Sequence, residues 1–332
     1  MSRSTHLASS VQPVLRVEDL QTHFMTRQGV VRAVDGVSFS LGRGQVLGLV
    51  GESGSGKSIT GLSLMGLIDP PGERVGGRIW LNGQDLSLYN ADQWRQLRGH
   101  RMAMIFQDPM VTLNPVLRID TQMIEAVQAH ERVSRVEALR RCKEALVKVG
   151  IASPDERLRA YPHEFSGGMR QRIAIAIALL HQPDVIVADE PTTALDVTIQ
   201  GQILFQMQKL CRDSGTALIW ITHDLSVVAG LADEVAVMYA GRIVEHGSTA
   251  TVLERPRHPY TRGLIGSVPS LHPKGSRLQQ IPGAAPLGPL REPGCAFRMR
   301  CDRSSPLCEQ RVPQSVQDAQ GHGSACHHPH TP

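Results

Sequence analysis

The octapeptide GESGSGKS, Gly51 to Ser58, places three glycines, a lysine and three hydroxyls where a backbone can wrap an anion. Glycines let the chain curl so that successive N–H groups point at phosphate oxygens, and a helix starting at the loop adds its positive end. Lys57 is then placed to reach β- and γ-phosphates, and the Ser58 hydroxyl to hold Mg²⁺. Two further stretches carry chemistry. PDVIVADEP, Pro183 to Pro191, ends a buried-strand pattern in two adjacent carboxylates. Asp189 fits a Mg²⁺ ligand acting through water, and Glu190 a base that orients and polarises an attacking water. FSGGMRQR, Phe165 to Arg172, sets Ser166 as a helix N-cap candidate, with Gly167 and Gly168 permitting close approach to an anion. Taken singly, DE after a strand is an ordinary surface turn, and a capped Ser-Gly-Gly is an ordinary helix start.

The elements around these residues have the periods that the chemistry needs. QVLGLV (Gln45–Val50) is an apolar strand run leading into the loop, and ITGLSLMGLI after it has helical spacing. By chance the loop pattern would arise in about one chain per hundred of this length, before the flanking strand and helix are required. Alternating apolar residues Val14, Leu15, Val17 and Leu20 open an antiparallel β portion. Between Gln107 and Phe165 the pattern turns helical, in TQMIEAVQAH and RVEALRRCKEALVKVG. Past Asp189 a helical stretch, Thr198–Leu210, alternates with the strands TALIWIT and EVAVMYAG. The expected fold is α/β: a P-loop ATPase core on a mainly parallel sheet, with an antiparallel portion, a helical subdomain over about 108–165 and an irregular Cys-containing extension. The expected boundaries are a loose leader at 1–13, a nucleotide-binding domain over 14–256 and the extension over 257–332.

Composition is that of a globular chain, 41% apolar and 20% charged. The apolar run Ile173–Leu180 is far short of the roughly 20 residues that a bilayer helix needs. The first residues lack the apolar centre of a signal peptide, so a cytosolic chain with reduced thiols is expected. From Arg257 onward nine Lys/Arg stand against four Asp/Glu, whereas the remainder is nearly neutral, with 26 against 27. A basic excess of this size reads first as a solvated face.

Ser-Gly-Gly before a basic helix, a little upstream of a DE strand, resembles the signature motif of ATP-binding cassette (ABC) proteins. The resemblance runs on through Gln107 in MIFQDP as the Q-loop, ALD (Ala194–Asp196) as the D-loop and His223 in ITHD as the switch histidine. It implies an ATPase using ATP and Mg²⁺, with Gly51, Glu52, Ser53, Gly54, Ser55, Gly56, Lys57, Ser58, Ile59 and Asp189 around the nucleotide. Ser58 and Gln107 would ligate Mg²⁺, and Glu190, His223 and Gln107 would be the catalytic set. Phe24 stands where the family sets an aromatic against adenine, with an ordinary core phenylalanine as the alternative. Cassettes of this family pair so that Ser166, Gly167, Gly168 and Met169 of one chain, next to the D-loop residue Asp196, complete the partner's ATP site.

The texture breaks at Arg257. Eleven of the 21 prolines fall in the last 76 residues, too many for regular helices or central strands. Cys295, Cys301, Cys308 and Cys326 lack the paired C-x₂₋₄-C spacing of zinc ribbons. Iron–sulfur ligation, zinc with His327 or His328 joining, and free thiols all stay open on spacing alone. Either metal would close a segment too poor in apolar residues to order itself. Cys142 and Cys211 lie in helical patterns and read as small buried hydrophobes.

HPYT (His258–Thr261) and the run P-G-C-x-F, R-C and C at 293–308 resemble the C-terminal extension of dipeptide/oligopeptide and nickel importer ATPases. That resemblance implies a 4Fe–4S cluster on the four cysteines. It also implies two transmembrane permease subunits, a second ABC ATPase subunit (a heteromeric pair expected, a homodimer the alternative) and, indirectly, an extracytoplasmic solute-binding protein. The expected location is the cytoplasmic face of the inner membrane, with peptides as cargo and nickel or another small solute in reserve. The rival is a non-transport ABC ATPase working on nucleic acid or ribosomes. Only 57 residues separate Gln107 from Phe165, too few for the long coiled coil of genome-maintenance members, and a single P-loop is present. No nucleic-acid partner is expected.

Overall fold

Buried and exposed residues alternate along β1 (Leu15–Thr26) and in the second half of β2 (Gly29–Leu41), as befits strands with one face on a core. The computed structural model describes residues 12–193, 195–269, 275, 280–286, 288 and 293–330. The leader up to residue 11 and Ala194 of the D-loop therefore lie outside the described residues. β3 (Val46–Val50) is buried on both faces, and the chain then returns through β4 (Gly72–Leu81) and β5 (Gln84–Asp85) to the first two strands. The result is a four-stranded antiparallel sheet in the order β2-β1-β4-β5.

The larger sheet takes β3 as its centre. β6 (Met102–Ile105), β7 (Val185–Asp189), β8 (Ala217–Thr222) and β9 (Glu234–Tyr239) join it in parallel, and β10 (Arg242–Ser248) turns back antiparallel on β9. Two short strands from the far end of the chain, β11 (Val316–Gln317) and β12 (Gly323–Ser324), finish that edge. The order is β11-β12-β10-β9-β3-β8-β7-β6. One apolar core lies between the two sheets. A second joins the other face of the large sheet to the helices Ile119–Gln128, Arg135–Lys148 and Gly167–Leu179. The helical subdomain forms because Ile119, Met123, Ile124 and Val127 fall on one stripe of their helix, as do Ala138, Cys142, Ala145 and Leu146 of the next. Cys142 and Cys211 are fully buried there, and burial pushes both thiols up to about 12.

The described residues beyond Arg257 carry little regular structure, yet they pack on the core. Tyr260, from the helix Pro259–Gly266, packs its ring against Tyr239 of β9 at a 4.6 Å centroid separation, and Phe297 closes on both at 5.2 and 5.4 Å. Glu245 of β10, with no exposed surface, accepts from the N–H groups of Arg257 (2.7 Å) and His258 (2.8 Å) and pairs with His322 Nε2 (2.8 Å). One buried carboxylate thus holds both ends of the extension. Glu245→Ala should leave the buried His258 N–H and His322 unpaired and lower the unfolding free energy by about 3 kcal/mol, read as a shift in urea midpoint.

Candidate active site

The Gly51–Ser58 loop joins β3 to the helix Lys57–Leu64, with Gly56 as N-cap in a left-handed conformation (φ 103°). A Cβ at Gly56 would lie 2.2 Å from Ala33 O, so the turn excludes any side chain there. Lys57 is 4% exposed. Its Nζ donates to the carbonyls of Gly51 (2.8 Å) and Glu52 (3.0 Å), which pins the ammonium across the mouth of the loop. Burial lowers the Lys57 pKa, opposed by the charges of Glu190, Asp189 and Glu52.

Asp189 ends β7, and its carboxylate accepts from Ser58 Oγ at 2.9 Å. Burial raises the Asp189 pKa, the Ser58 bond opposes that, Glu190 adds to it and Lys57 opposes it. A hydroxyl and a carboxylate meeting beside a phosphate loop are oxygen donors of the kind that Mg²⁺ takes, so this donor set fits the ion. Glu190 turns sharply, at φ 45°, with its N–H donating to Ile221 O of β8 at 3.0 Å. A left-handed non-glycine residue is uncommon, and here the neighbouring strand enforces it. Thr193 Oγ1 donates to Glu190 Oε2 at 3.0 Å, and His223 Nδ1 lies 3.2 Å from the same oxygen. Both contacts converge on Oε2.

These groups meet in a cavity of about 850 Å³, with Glu52, Ser53, Gly54, Gly56, Lys57, Ser58, Ile59, Gln107, Glu190 and His223 in its walls. Leu264, Ser267, Gln280 and Ile281 of the extension close the same cavity. Nothing local in the sequence pointed to those four, because their role follows from where the extension docks. Phe24 lies elsewhere: its ring packs against Gly72, and it is not among the described residues of the cavity wall.

Ser166 caps the helix Gly167–Leu179 by accepting from Met169 N at 3.3 Å, and Asp196 caps Val197–Ser214 by accepting from Ile199 N at 3.0 Å. The two caps adjoin, since a Cβ on Gly168 would come within 2.9 Å of Ile199 Cγ2. Ser166, Gly167, Gly168, Met169 and Asp196 are not among the described residues lining the cavity. Within one chain, then, the Ser-Gly-Gly segment and the phosphate loop belong to different surfaces.

None of the four tail cysteines is in a disulfide. Cys295 N–H donates to Cys308 O at 2.7 Å, and burial pushes the Cys326 thiol up to about 11, with Cys295, Cys301 and Cys308 near enough to add to the rise. Among the described residues, however, no three His, Cys, Asp or Glu side chains form a group that could hold a metal ion. The expectation of a built metal centre is not met by this arrangement, and His327 instead donates to Arg311 O at 2.9 Å.

Comparison with known proteins agrees with this geometry. The ABC transporter family model matches residues 34–193, and the model for the C-terminal region of oligopeptide/dipeptide transporters matches 244–308. A probable peptide ABC transporter ATP-binding protein of Sinorhizobium fredii is 50% identical over 317 residues, covering 94% of each chain. The chain belongs to the ATP-binding proteins of the oligopeptide/dipeptide ABC transporter family. This ABC ATPase is also 46% identical to the dipeptide transport ATP-binding protein DppD of Bacillus subtilis, over 95% of each chain. To the oligopeptide transport ATP-binding protein OppD of Escherichia coli it is 46% identical, over 90% of this chain and 89% of that one. Among solved structures, the dimeric ATP-binding cassette MJ0796 bound to ADP and phosphate shares the fold, at a TM-score of 0.64 and 22% identity over 71% of this chain and 98% of that one. The cassette cbiO1 of Clostridium perfringens matches at a TM-score of 0.62 and 26% identity, over 73% of this chain and 91% of that one. Among the described residues of the ABC ATPase, no helix is long and apolar enough to cross a membrane.

Proposed function

We propose that this ABC ATPase energises the import of di- or oligopeptides, hydrolysing ATP as two cassettes close on each other beneath a pair of permease subunits. The observation that carries the reading is the meeting of Lys57, the Ser58–Asp189 pair and the Glu190–His223 pair in one cavity. Lys57 and the loop N–H groups bind the β- and γ-phosphates. Ser58, Gln107 and Asp189 would hold Mg²⁺, whose charge would offset that of the phosphates. Glu190 accepts a proton from water while the water oxygen bonds to the γ-phosphorus. The bond from that phosphorus to the β–γ bridging oxygen breaks, and its electron pair leaves on ADP. His223 holds the Glu190 carboxylate and hydrogen-bonds the γ-phosphate. Ser166, Gly167, Gly168 and Met169, with Asp196 beside them, complete the ATP site of the partner cassette, so one chain alone is a poor catalyst.

Peptide cargo is supported by the names of the relatives and by the matched C-terminal region, and nickel or another small solute is the alternative. The partners are two transmembrane permeases, a second and different ATPase subunit, and indirectly a solute-binding protein, at the cytoplasmic face of the membrane. Purification of the tagged chain from detergent-solubilised membranes should bring down the permeases. ATP turnover in the reconstituted complex should rise several-fold with peptide-loaded binding protein. Stimulation by nickel-loaded binding protein alone would select the alternative cargo, and release from the complex by salt together with nucleic acid would overturn the transport reading.

The proposal extends to the tail cysteines as ligands of a 4Fe–4S cluster. It is supported by the resemblance of the 293–308 pattern, four cysteine thiolates being the ligand set such a cluster takes. Anaerobically purified protein should be brown and carry about four iron and four sulfide per chain. Colourless, iron-free protein with one zinc would reassign the cysteines, and metal-free protein would leave them thiols.

A further inference from the structure

Glu52 is the second residue of the phosphate loop, and the C-terminal segment holds it by both its side chain and its backbone. Arg300 grips the carboxylate with two bonds, Nη1 to Oε2 at 2.6 Å and Nη2 to Oε1 at 2.9 Å. The Glu52 N–H donates to Tyr260 Oη at 2.8 Å. Arg300 is itself fixed: its side chain is 6% exposed, its Nε donates to Pro282 O at 2.8 Å, and its Nη1 also reaches Tyr239 Oη at 3.3 Å. The rings of Tyr239 and Phe297 each lie 5.8 Å from the guanidinium. A planar fork locked on all sides sets the position of whatever carboxylate it holds.

Two features make that position matter. Glu52 lines the phosphate cavity, so an unpaired carboxylate there would repel a polyphosphate. Its own carbonyl also receives Lys57 Nζ, at 3.0 Å, so a shift of Glu52 moves the lysine's anchor. We propose that Arg300 is a positioning residue of the nucleotide site, acting on the phosphate loop through Glu52. The folded state of the cysteine-bearing segment and the affinity for ATP are thereby coupled. Arg300 directly precedes Cys301, so any event that orders or loosens that segment reaches the loop. The coupling is reciprocal in binding free energy. The inference rests on the reading of Gly51–Ser58 as the ATP loop.

The test is titration of the full-length chain in its complex with a fluorescent ATP analogue, alongside KM and kcat for hydrolysis. Arg300→Met should raise Kd and KM about tenfold and leave kcat within about twofold, since charge-assisted bidentate contact is lost outside the reacting atoms. Arg300→Lys, which keeps the buried cation and with it the fold, should raise Kd about threefold. The double variant Glu52→Gln with Arg300→Met removes both charges and should return Kd to within about threefold of the parent. An unchanged Kd in Arg300→Lys and Arg300→Met overturns the proposal. A double variant no better than Arg300→Met also overturns it, because Arg300 would then act by packing alone. Lys57→Ala separates the two levels: if that variant binds ATP normally, the loop reading fails, whereas neutral Arg300 variants beside a dead Lys57→Ala sink only this inference.

Discussion

Glu190→Gln should cut the rate of ATP hydrolysis by about 10²- to 10⁴-fold while leaving ATP affinity close to that of the parent. The amide is isosteric with the carboxylate and can still meet Thr193 and His223, so the left-handed turn at Glu190 and its bond to Ile221 O have no reason to change. What disappears is the ability of the carboxylate to take a proton from water. With hydrolysis blocked and binding preserved, the closed pair of cassettes should accumulate with ATP. Single-turnover phosphate release and size-exclusion chromatography with and without ATP read the two halves of this prediction. Near-parental turnover would remove Glu190 from its assigned role, and loss of binding would make the residue a structural one.

Lys57→Ala should weaken ATP binding by about a hundredfold, equivalent to about 2.7 kcal/mol at 1.36 kcal/mol per factor of ten. The ammonium is buried and lies within the field of Glu190, Asp189 and Glu52. Without it, the triphosphate loses the ammonium that offsets the charge of these carboxylates. The lost bonds to Gly51 O and Glu52 O also free the loop, so some of the deficit comes from preorganisation. Isothermal titration with a non-hydrolysed ATP analogue checks the number, and an affinity within about twofold of the parent would contradict the assignment.

The residues that work over short sequence distances were readable from the chain alone. Gly56 and Lys57 open a helix because the loop pattern sits between an apolar strand run and helical spacing. Ser166 caps its helix because a Ser hydroxyl accepts from an N–H group three residues on. The helical subdomain followed from apolar spacing in Ile119–Gln128 and Arg135–Lys148. Contacts that close long loops left no such trace. Arg300 and Glu52 are 248 positions apart, and neither a proline-rich context nor an arginine before a cysteine says which carboxylate will be met. Gly323–Ser324 is too short a strand to show a period, so its pairing with Glu245 and His246 was invisible. Phe24, which the motif order offered as an adenine aromatic or a core phenylalanine, sits on β1 of the antiparallel sheet, opposite Gly72.

β12 pairs residues 323 and 324 with β10, whose other side lies on β9 at the heart of the nucleotide core. During synthesis the ribosome delivers β10 some 75 residues before its last neighbour, at about 5–20 residues per second. For those seconds the strand presents unpaired N–H and C=O groups, the template on which chains add to one another. A ribosome stalled between 250 and 315, or a stop codon there, would thus release a sticky intermediate although every ATPase motif had already been made. Protein quality control would see such a fragment as misfolded, and its fate would be decided by an edge that only the tail can cover.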